Sequence, residues 1–535
     1  MNKIAQHIGD RVVVKNKNIK SQTPQTVPIS KEQVRNSPGG FVFKVGNWDQ
    51  LQRFISLGTA GGTYYIKENA LTKLNYDVVL DCLAEDGARV IREIVRISEG
   101  GLAPKNDFAI LTLAIAAAKG DEETKRLAYE ALPRVCRIAT HLFQFLEDSK
   151  SFRGRGNGFN RAIARWYTNK SVDDRAYQMV KYRNRNNWSH RDVLRTVRIK
   201  PENNADSALY AWAVKGEWTS DMPKPRVIEG FEKVQAATTV KEVVSCINDY
   251  RLTWEALPTQ FLKEKSVWEA LLPHMLPTAL IRNLGNMSSA GVFDTGEFDN
   301  IATAVSTLTS AEKLQKGKVH PLQAVIAQLV YRRGCGDKGS NIWKVNEKIV
   351  DGLNDAFYAS MKTITPTGKK ILLGVDESAS MSYQSGVTGL NCAQAAAVMV
   401  LAEYVSEPNC IPVFFDTTYR EVSMSKNMTL EKAKQLARNG GGTDLGQPIQ
   451  YALDKKIAGI DAFVIFTDNE TYGRNPHSMV LFNEYKNVYN KDVKLIICSM
   501  AANMYTVGDP NDTSILQVFG LDASLPNIIN SYLSL

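Results

Sequence analysis

Near Pro366 the chain changes texture, and that change restricts its fold more than any other feature. After that proline, four uninterrupted apolar runs follow one another: KILLGVD at 370–376, IPVFF at 411–415, AFVIFT at 462–467 and VKLIICS at 493–499. Helix-patterned stretches at 392–405, 430–438 (with Thr429 placed to cap it) and about 477–489 separate them. A strand that is apolar at every position must be covered on both faces. The pattern therefore predicts a mostly parallel sheet flanked by helices, a doubly wound α/β domain over 363–535. In such a sheet the ligand site lies outside the carboxyl ends of the strands.

Ahead of the change, from 47 to about 354, the spacing is helical, with short polar or Gly/Pro breaks and few convincing strands. Examples are 48–57, 88–97, 107–119, 121–132 and 133–147. Antiparallel helices of this length in succession predict a HEAT-like α-helical solenoid over 36–362, although no crisp repeat period can be read. Residues 1–35 are polar and read as an extended arm. The stretch MNKIAQHIGDRVVVKNKN has no continuous apolar core, so it is not expected to be a secretory signal. The longest uncharged apolar stretches, 108–118 and 393–402, fall short of the ~20 residues a membrane span needs, so no membrane association is expected. Seven scattered cysteines without a CxxC pair read as reduced residues of a soluble intracellular protein.

Three segments of the α/β part carry metal chemistry. The first apolar strand ends in Asp376-Glu-Ser378-Ala-Ser380, a glycine run gives Gly440-Gly-Gly-Thr443-Asp444, and the third strand ends in Thr467-Asp468. Asp376, Ser378, Ser380, Thr443 and Asp468 offer oxygen only, which suits one Mg²⁺ or Mn²⁺ ion and argues against zinc. DxSxS alone is also a strand-end turn that caps the next helix; the three segments in order on a doubly wound pattern favour the metal reading. They resemble, residue by residue, the metal-ion-dependent adhesion site of von Willebrand factor A domains. One departure is Asn469, where many such domains carry Gly. Neutral hydroxyls leave the ion most of its charge, so an open coordination position would favour an acidic partner oxygen.

The net charge of +9 is unevenly placed. Residues 361–535 hold 14 basic and 17 acidic groups, whereas 150–200 alone hold 14 basic and 3 acidic, a net of +11. Aromatics interleave with these bases, and Ser189-His-Arg-Asp192 reads as a capping box opening a helix. Arg191, Arg195 and Arg198 would share one helix face, as would Arg161 with Arg165 and Lys181 with Arg185. A positive strip of this kind supplies phosphate contacts, and aromatics or guanidinium planes can stack on unpaired bases. The same segment also reads as a solvated basic face whose aromatics, Trp166 and Tyr177 above all, belong to the core. Its charge against a nearly neutral background favours the polyanion surface.

No GxxxxGK[ST], HExxH, GxSxG or kinase signature occurs, and Asp294-Thr-Gly296 lacks the second carboxylate motif an aspartic protease needs. The chain is therefore not expected to be an enzyme. A basic helical region that opens with NSPGGF and GGTYYIKE, carries YRNRNNWSHRDVLR and joins an A domain resembles the TROVE-module family of Ro ribonucleoproteins, over about 36–535. The resemblance implies helical repeats closed into a ring, with the von Willebrand factor A domain linking the two ends. It implies binding of Y RNA on the outside and of single-stranded ends of misfolded noncoding RNAs in the central hole. It also implies a role in RNA quality control and stabilisation in cytoplasm and nucleus. Candidate RNA contacts are Arg153, Arg155, Arg161, Arg165, Lys170, Lys181, Arg183, Arg185, His190, Arg191 and Arg195. The competing expectation is a metal-dependent scaffold whose A domain captures an acidic protein ligand.

Overall fold

The computed structural model describes residues 23–59, 62–152, 156–218, 220–336, 341–361, 366–385, 389–473 and 475–534. Strands β1 (Val34–Arg35) and β2 (Phe41–Lys44) precede the helices, and β3 (Asn184–Arg185) and β4 (Trp188–Ser189) lie among them. The α/β part contributes β5 (Lys370–Asp376), β6 (Asn409–Phe415), β7 (Tyr419–Glu421), β8 (Ala462–Thr467), β9 (Lys494–Ser499), β10 (Tyr505–Thr506) and β11 (Ile515–Phe519). Six of these form one sheet in the order β11–β9–β8–β5–β6–β7. Every pairing is parallel except β6 with β7. Every residue of β8 and all but the first of β5 are buried, as strands covered on both faces require. From β5 the chain moves outward to β6 and then crosses back to β8, so the order reverses between β5 and β8. Their carboxyl ends are the switch point where an open α/β sheet binds its ligand.

The helical part begins with Asn47–Leu57 and the long Glu68–Gly100, followed by Asp107–Lys119, Glu122–Val135, Ala139–Lys150 and Asn157–Thr168. Each packs on its near neighbours in sequence. Asp86 breaks the long helix with φ −152° and ψ 86°, and its side chain then caps the second half by accepting from Arg89 N–H at 2.8 Å. The helix expected at 133–147 is two pieces. Pro133 lies in the last turn of Glu122–Val135, where its missing N–H removes only one ladder bond, and the next helix starts at Ala139.

The helical array returns on itself. Lys318 Nζ donates to the Glu99 carbonyl, and Gln323 Nε2 donates to Pro104 O at 3.1 Å. The α/β domain fastens the same seam: Ala523 N–H bonds Leu102 O at 3.3 Å, and His320 Nε2 bonds Leu521 O at 2.7 Å. A second link comes from Arg53, 2% exposed, whose guanidinium donates to Asn503 O (3.0 Å), Tyr505 O (2.7 Å) and Gln517 Oε1 (3.5 Å). Strand β2 pairs antiparallel with β10, and the arm is stitched to the α/β domain from His477 N–H to Thr23 O at 2.7 Å. All seven cysteines are free thiols.

Candidate functional site

Asp376 closes β5 and Asp468 follows β8, so the switch point sets the two carboxylates side by side. The loop after β5 is folded by its own side chains: Ser378 N–H donates to Asp376 Oδ1 at 3.0 Å, and Met381 N–H donates to Ser378 O at 3.0 Å. The Ser378 and Ser380 hydroxyl oxygens lie 3.2 Å apart. Thr467 Oγ1 donates to Asp376 Oδ2 at 2.7 Å, and Glu470 N–H donates to Asp468 Oδ1 at 3.1 Å. The glycine run is pinned against this loop by Gly440 N–H to Glu377 O (2.8 Å) and Ala379 N–H to Gly441 O (3.1 Å), which delivers Thr443 to the same edge. Gly441 is required there: its φ is +78°, and a Cβ would lie 2.5 Å from an Asp416 oxygen. All five expected ligands are 5% exposed or less.

Charge at this edge is uncompensated. Burial raises the Asp376 carboxyl above the usual carboxylate range, with Asp468 adding to the shift, and burial raises Asp468 as well. Neither pairs with a Lys, Arg or His among the described residues. The adjacent Glu377, equally buried, does: Arg420 bonds both its oxygens at 3.0 and 2.7 Å. Two buried carboxylates left without a cation, beside hydroxyls aimed at the same edge, fit a divalent ion. Among the described residues no group of three or more His, Cys, Asp or Glu is placed to hold a metal ion, so an ion at this edge would depend on the hydroxyls of Ser378, Ser380 and Thr443 as well as the two carboxylates.

Asn469 fits the family's glycine position for a physical reason. Its φ is +63°, a region Asn tolerates, and its amide donates to Ser499 Oγ at 3.0 Å while Oδ1 accepts from Val507 N–H at 3.3 Å. Sequence reasoning missed the covering of this edge by the chain itself. Gln25, fully buried, reaches Asp444 and Thr471. Asn36 Nδ2 donates to Thr471 O at 2.8 Å, and Ser37 holds Glu470 through its N–H (3.1 Å) and hydroxyl (3.0 Å). From the helical part, Tyr65 feels the same edge: burial, then the charges of Asp468 and Glu470, push its phenol up to about 12. A small open cleft lies between the domains here, lined by Leu57, Gly58 and Thr63 on one wall and Ser380, Tyr383 and Asp468 on the other. The aromatic-and-glycine cluster at 61–65 was the only sequence signal for it.

The basic stretch is sorted by burial. Arg153 and Arg155 lie outside the described residues. Arg161 and Arg165 are exposed on helix Asn157–Thr168, and Arg191 and Arg195 are exposed on helix His190–Val197. The two helices touch on their buried sides through the Tyr167 hydroxyl and His190 Nδ1, 2.8 Å apart. The expected capping box is present: Asp192 N–H donates to Ser189 Oγ at 3.2 Å and Ser189 N–H donates to Asp192 Oδ2 at 2.9 Å. Between helix Val172–Lys181 and helix His190–Val197, β3 and β4 form a hairpin in place of continuous helix. Asn186 (φ 50°) and Asn187 (φ 60°) make its two-residue turn, and exposed Arg185 precedes them.

Three candidates face inward. His190 is 4% exposed, with both ring nitrogens engaged (Tyr167 hydroxyl and, at 3.3 Å, Gln178 O) and its pKa lowered to about 4 by burial; in the structure it packs in the core. Lys170 caps its own helix at Trp166 O (2.9 Å) and lies 3.7 Å over the Trp166 ring, burial lowering its pKa to about 8. Lys181 bonds the Tyr177 hydroxyl at 3.1 Å. Arg183 is exposed but lies over the Phe231 ring at 4.9 Å. Trp166 is fully buried and Tyr177 half-buried.

A helical array that returns on itself and is fastened to an α/β domain, with an oxygen-lined edge bearing two buried carboxylates and exposed arginines free of carboxylates among the described residues, defines a two-module protein in which neither module stands free of the other. Models of two modules match it: the TROVE domain over residues 34–233 and 249–329, and the Ro60 vWA domain over 370–533. The chain belongs to the Ro60 family of TROVE proteins. It is 34% identical to the RNA-binding protein RO60 of Deinococcus radiodurans over 95% of this chain and 97% of that one. It is 29% identical to the Caenorhabditis elegans RNA-binding protein RO60 over 95% and 91% of the two chains. The crystal structure of the Deinococcus radiodurans RO (RSR) protein superposes with a TM-score of 0.68 at 33% identity, over 91% of this chain and 99% of that one.

Proposed function

We propose that this protein binds RNA, as the names of its relatives say of them, and serves as the protein component of small ribonucleoproteins. The observation that carries the reading is the set of Arg161, Arg165, Arg185, Arg191 and Arg195. All five are exposed, none has an ion-pair partner among the described residues, and they sit on two touching helices and the hairpin between them. Guanidiniums left free of carboxylates are available to phosphate, and each phosphate neutralised releases counterions. Small noncoding RNA, Y RNA or misfolded RNA with a single-stranded end, is the partner class, and quality control and stabilisation of such RNA in cytoplasm and nucleus is the role.

One Mg²⁺ or Mn²⁺ ion would be held by Asp376, Ser378, Ser380, Thr443 and Asp468, offsetting the two buried charges. A two-metal nuclease needs more carboxylates than this edge offers, which supports a non-enzymatic role. Binding of an RNA with a single-stranded 3′ tail, measured from low to physiological salt, tests the reading. Affinity should fall steeply with salt and depend on the tail; salt-insensitive binding would refute it.

A further inference from the structure

The turn between helices Asn47–Leu57 and Glu68–Gly100 holds two aromatic rings out in solvent. Tyr64 is 53% and Tyr65 37% exposed, the one consecutive pair of exposed aromatic side chains among the described residues. Their ring centroids lie 5.0 Å apart at 73°, so the rings brace each other edge to face. The backbone beneath them is closely fixed. Thr63 N–H donates to Ile66 O at 2.8 Å, Ile66 N–H donates to Thr63 Oγ1 at 3.1 Å, and Gly62 N–H donates to Thr59 O at 2.9 Å. Gly62 has a φ of +72°, and a Cβ there would lie 2.4 Å from Ile66 O. Tyrosine rings gain by burial, yet this turn holds both outward at the rim of the interdomain cleft that Gly62 and Thr63 line. Lys67 and Lys73 follow on the same segment, exposed and without an ion-pair partner among the described residues, which makes the surroundings of the rings favourable to a polyanion.

We propose that the Tyr64–Tyr65 turn is a stacking platform for an unpaired base of the single-stranded tail. This rests on the RNA reading above and adds to the arginine set a site of different chemistry. A ring face accepts any base by stacking, whereas a base inside a duplex has its faces covered, so the platform selects single strands without reading their sequence. Stacking releases no counterions. The arginines therefore set the salt dependence of binding, and the tyrosines add affinity that salt leaves alone.

A structured RNA whose 3′ tail carries 2-aminopurine at each position in turn tests the platform on the full chain. Fluorescence reports stacking, and affinity is measured from low to physiological salt, for wild type, Tyr64→Ala/Tyr65→Ala and Tyr64→Phe/Tyr65→Phe. The platform predicts quenching at a defined tail position in wild type and in the Phe pair. The Ala pair should lose that quenching and bind roughly tenfold more weakly, with the wild-type melting temperature and an unchanged salt slope. Wild-type affinity and quenching in the Ala pair overturn the platform and leave the RNA reading standing. A Phe pair as weak as the Ala pair overturns stacking, because the rings are kept and only the hydroxyls are lost. A wild type that binds no tailed RNA overturns the platform and the RNA reading together.

Discussion

Asn469 holds left-handed backbone at the sheet edge while its amide ties β8 to the segments that follow, so one side chain serves conformation and cohesion at once. Asn469→Ala removes both bonds and the amide that makes positive φ tolerable for Asn, and should cost about 2–4 kcal/mol in urea unfolding. Asn469→Gly relieves the backbone and should cost less, about 1–2 kcal/mol. Glu403 presents a different case: it is 1% exposed, and neither carboxylate oxygen has a hydrogen-bond partner among the described residues. Burial, with Glu407 nearby, raises its pKa from 4.5 to about 8. Between those values the folded chain keeps a proton that the unfolded chain has released. Its contribution is therefore full below about 4.5 and lost as pH rises through about 8. Glu403→Gln should leave stability at pH 5 nearly unchanged and raise it at pH 8 by on the order of 2 kcal/mol. Parallel pH curves for both proteins would show the carboxyl is not buried as described.

At the scale of elements, the β3–β4 hairpin presents Arg185 because Asn186 and Asn187 both adopt positive φ. Replacing both by Val should open the turn and lower the salt slope of RNA binding by about one phosphate contact, as Arg185→Ala does, whereas Asn187→Gly should leave it unchanged. Lys170→Ala should shift thermal stability and not the salt slope, because its ammonium is spent on Trp166. What was legible in the sequence follows the same physics. Strands β5, β6, β8 and β9 announced themselves because burial on both faces demands unbroken apolar runs. The short edge strand β7 and strand β10, with three and two residues, carry no such run. The Asn-Asn turn was present in the sequence but lay inside a basic stretch read as helix. The inward turning of His190 and Lys170 depends on Tyr167, Gln178 and Trp166 arriving in space, which spacing alone does not encode. The five hydroxyl and carboxylate positions were readable because the edge of a doubly wound sheet brings strand ends together whatever the rest of the chain does.

For the molecule as a whole, closure is the governing fact: residues 99–104, 318–323 and 521–523 meet at one seam, and Arg53 and the arm join the two domains elsewhere. Arg53→Leu would leave the Asn503 and Tyr505 carbonyls without their donor, while Gln517 Oε1 keeps Thr506, and should cost about 3 kcal/mol, seen as an earlier and less cooperative thermal transition. The five arginines are exposed, and none of them makes an ion pair among the described residues, so charge can be removed there without breaking these junctions. Binding of a 3′-tailed structured RNA, from 50 to 200 mM salt, by wild type and by the Arg161→Ala/Arg165→Ala/Arg185→Ala/Arg191→Ala/Arg195→Ala variant, tests the central claim most directly. We expect wild-type affinity to fall steeply, by roughly a thousandfold or more for six or more phosphate contacts, and the variant to bind weakly with a slope lower by about three to five. Equal affinities and equal slopes in the two proteins, with the variant's melting temperature unchanged, would contradict the account.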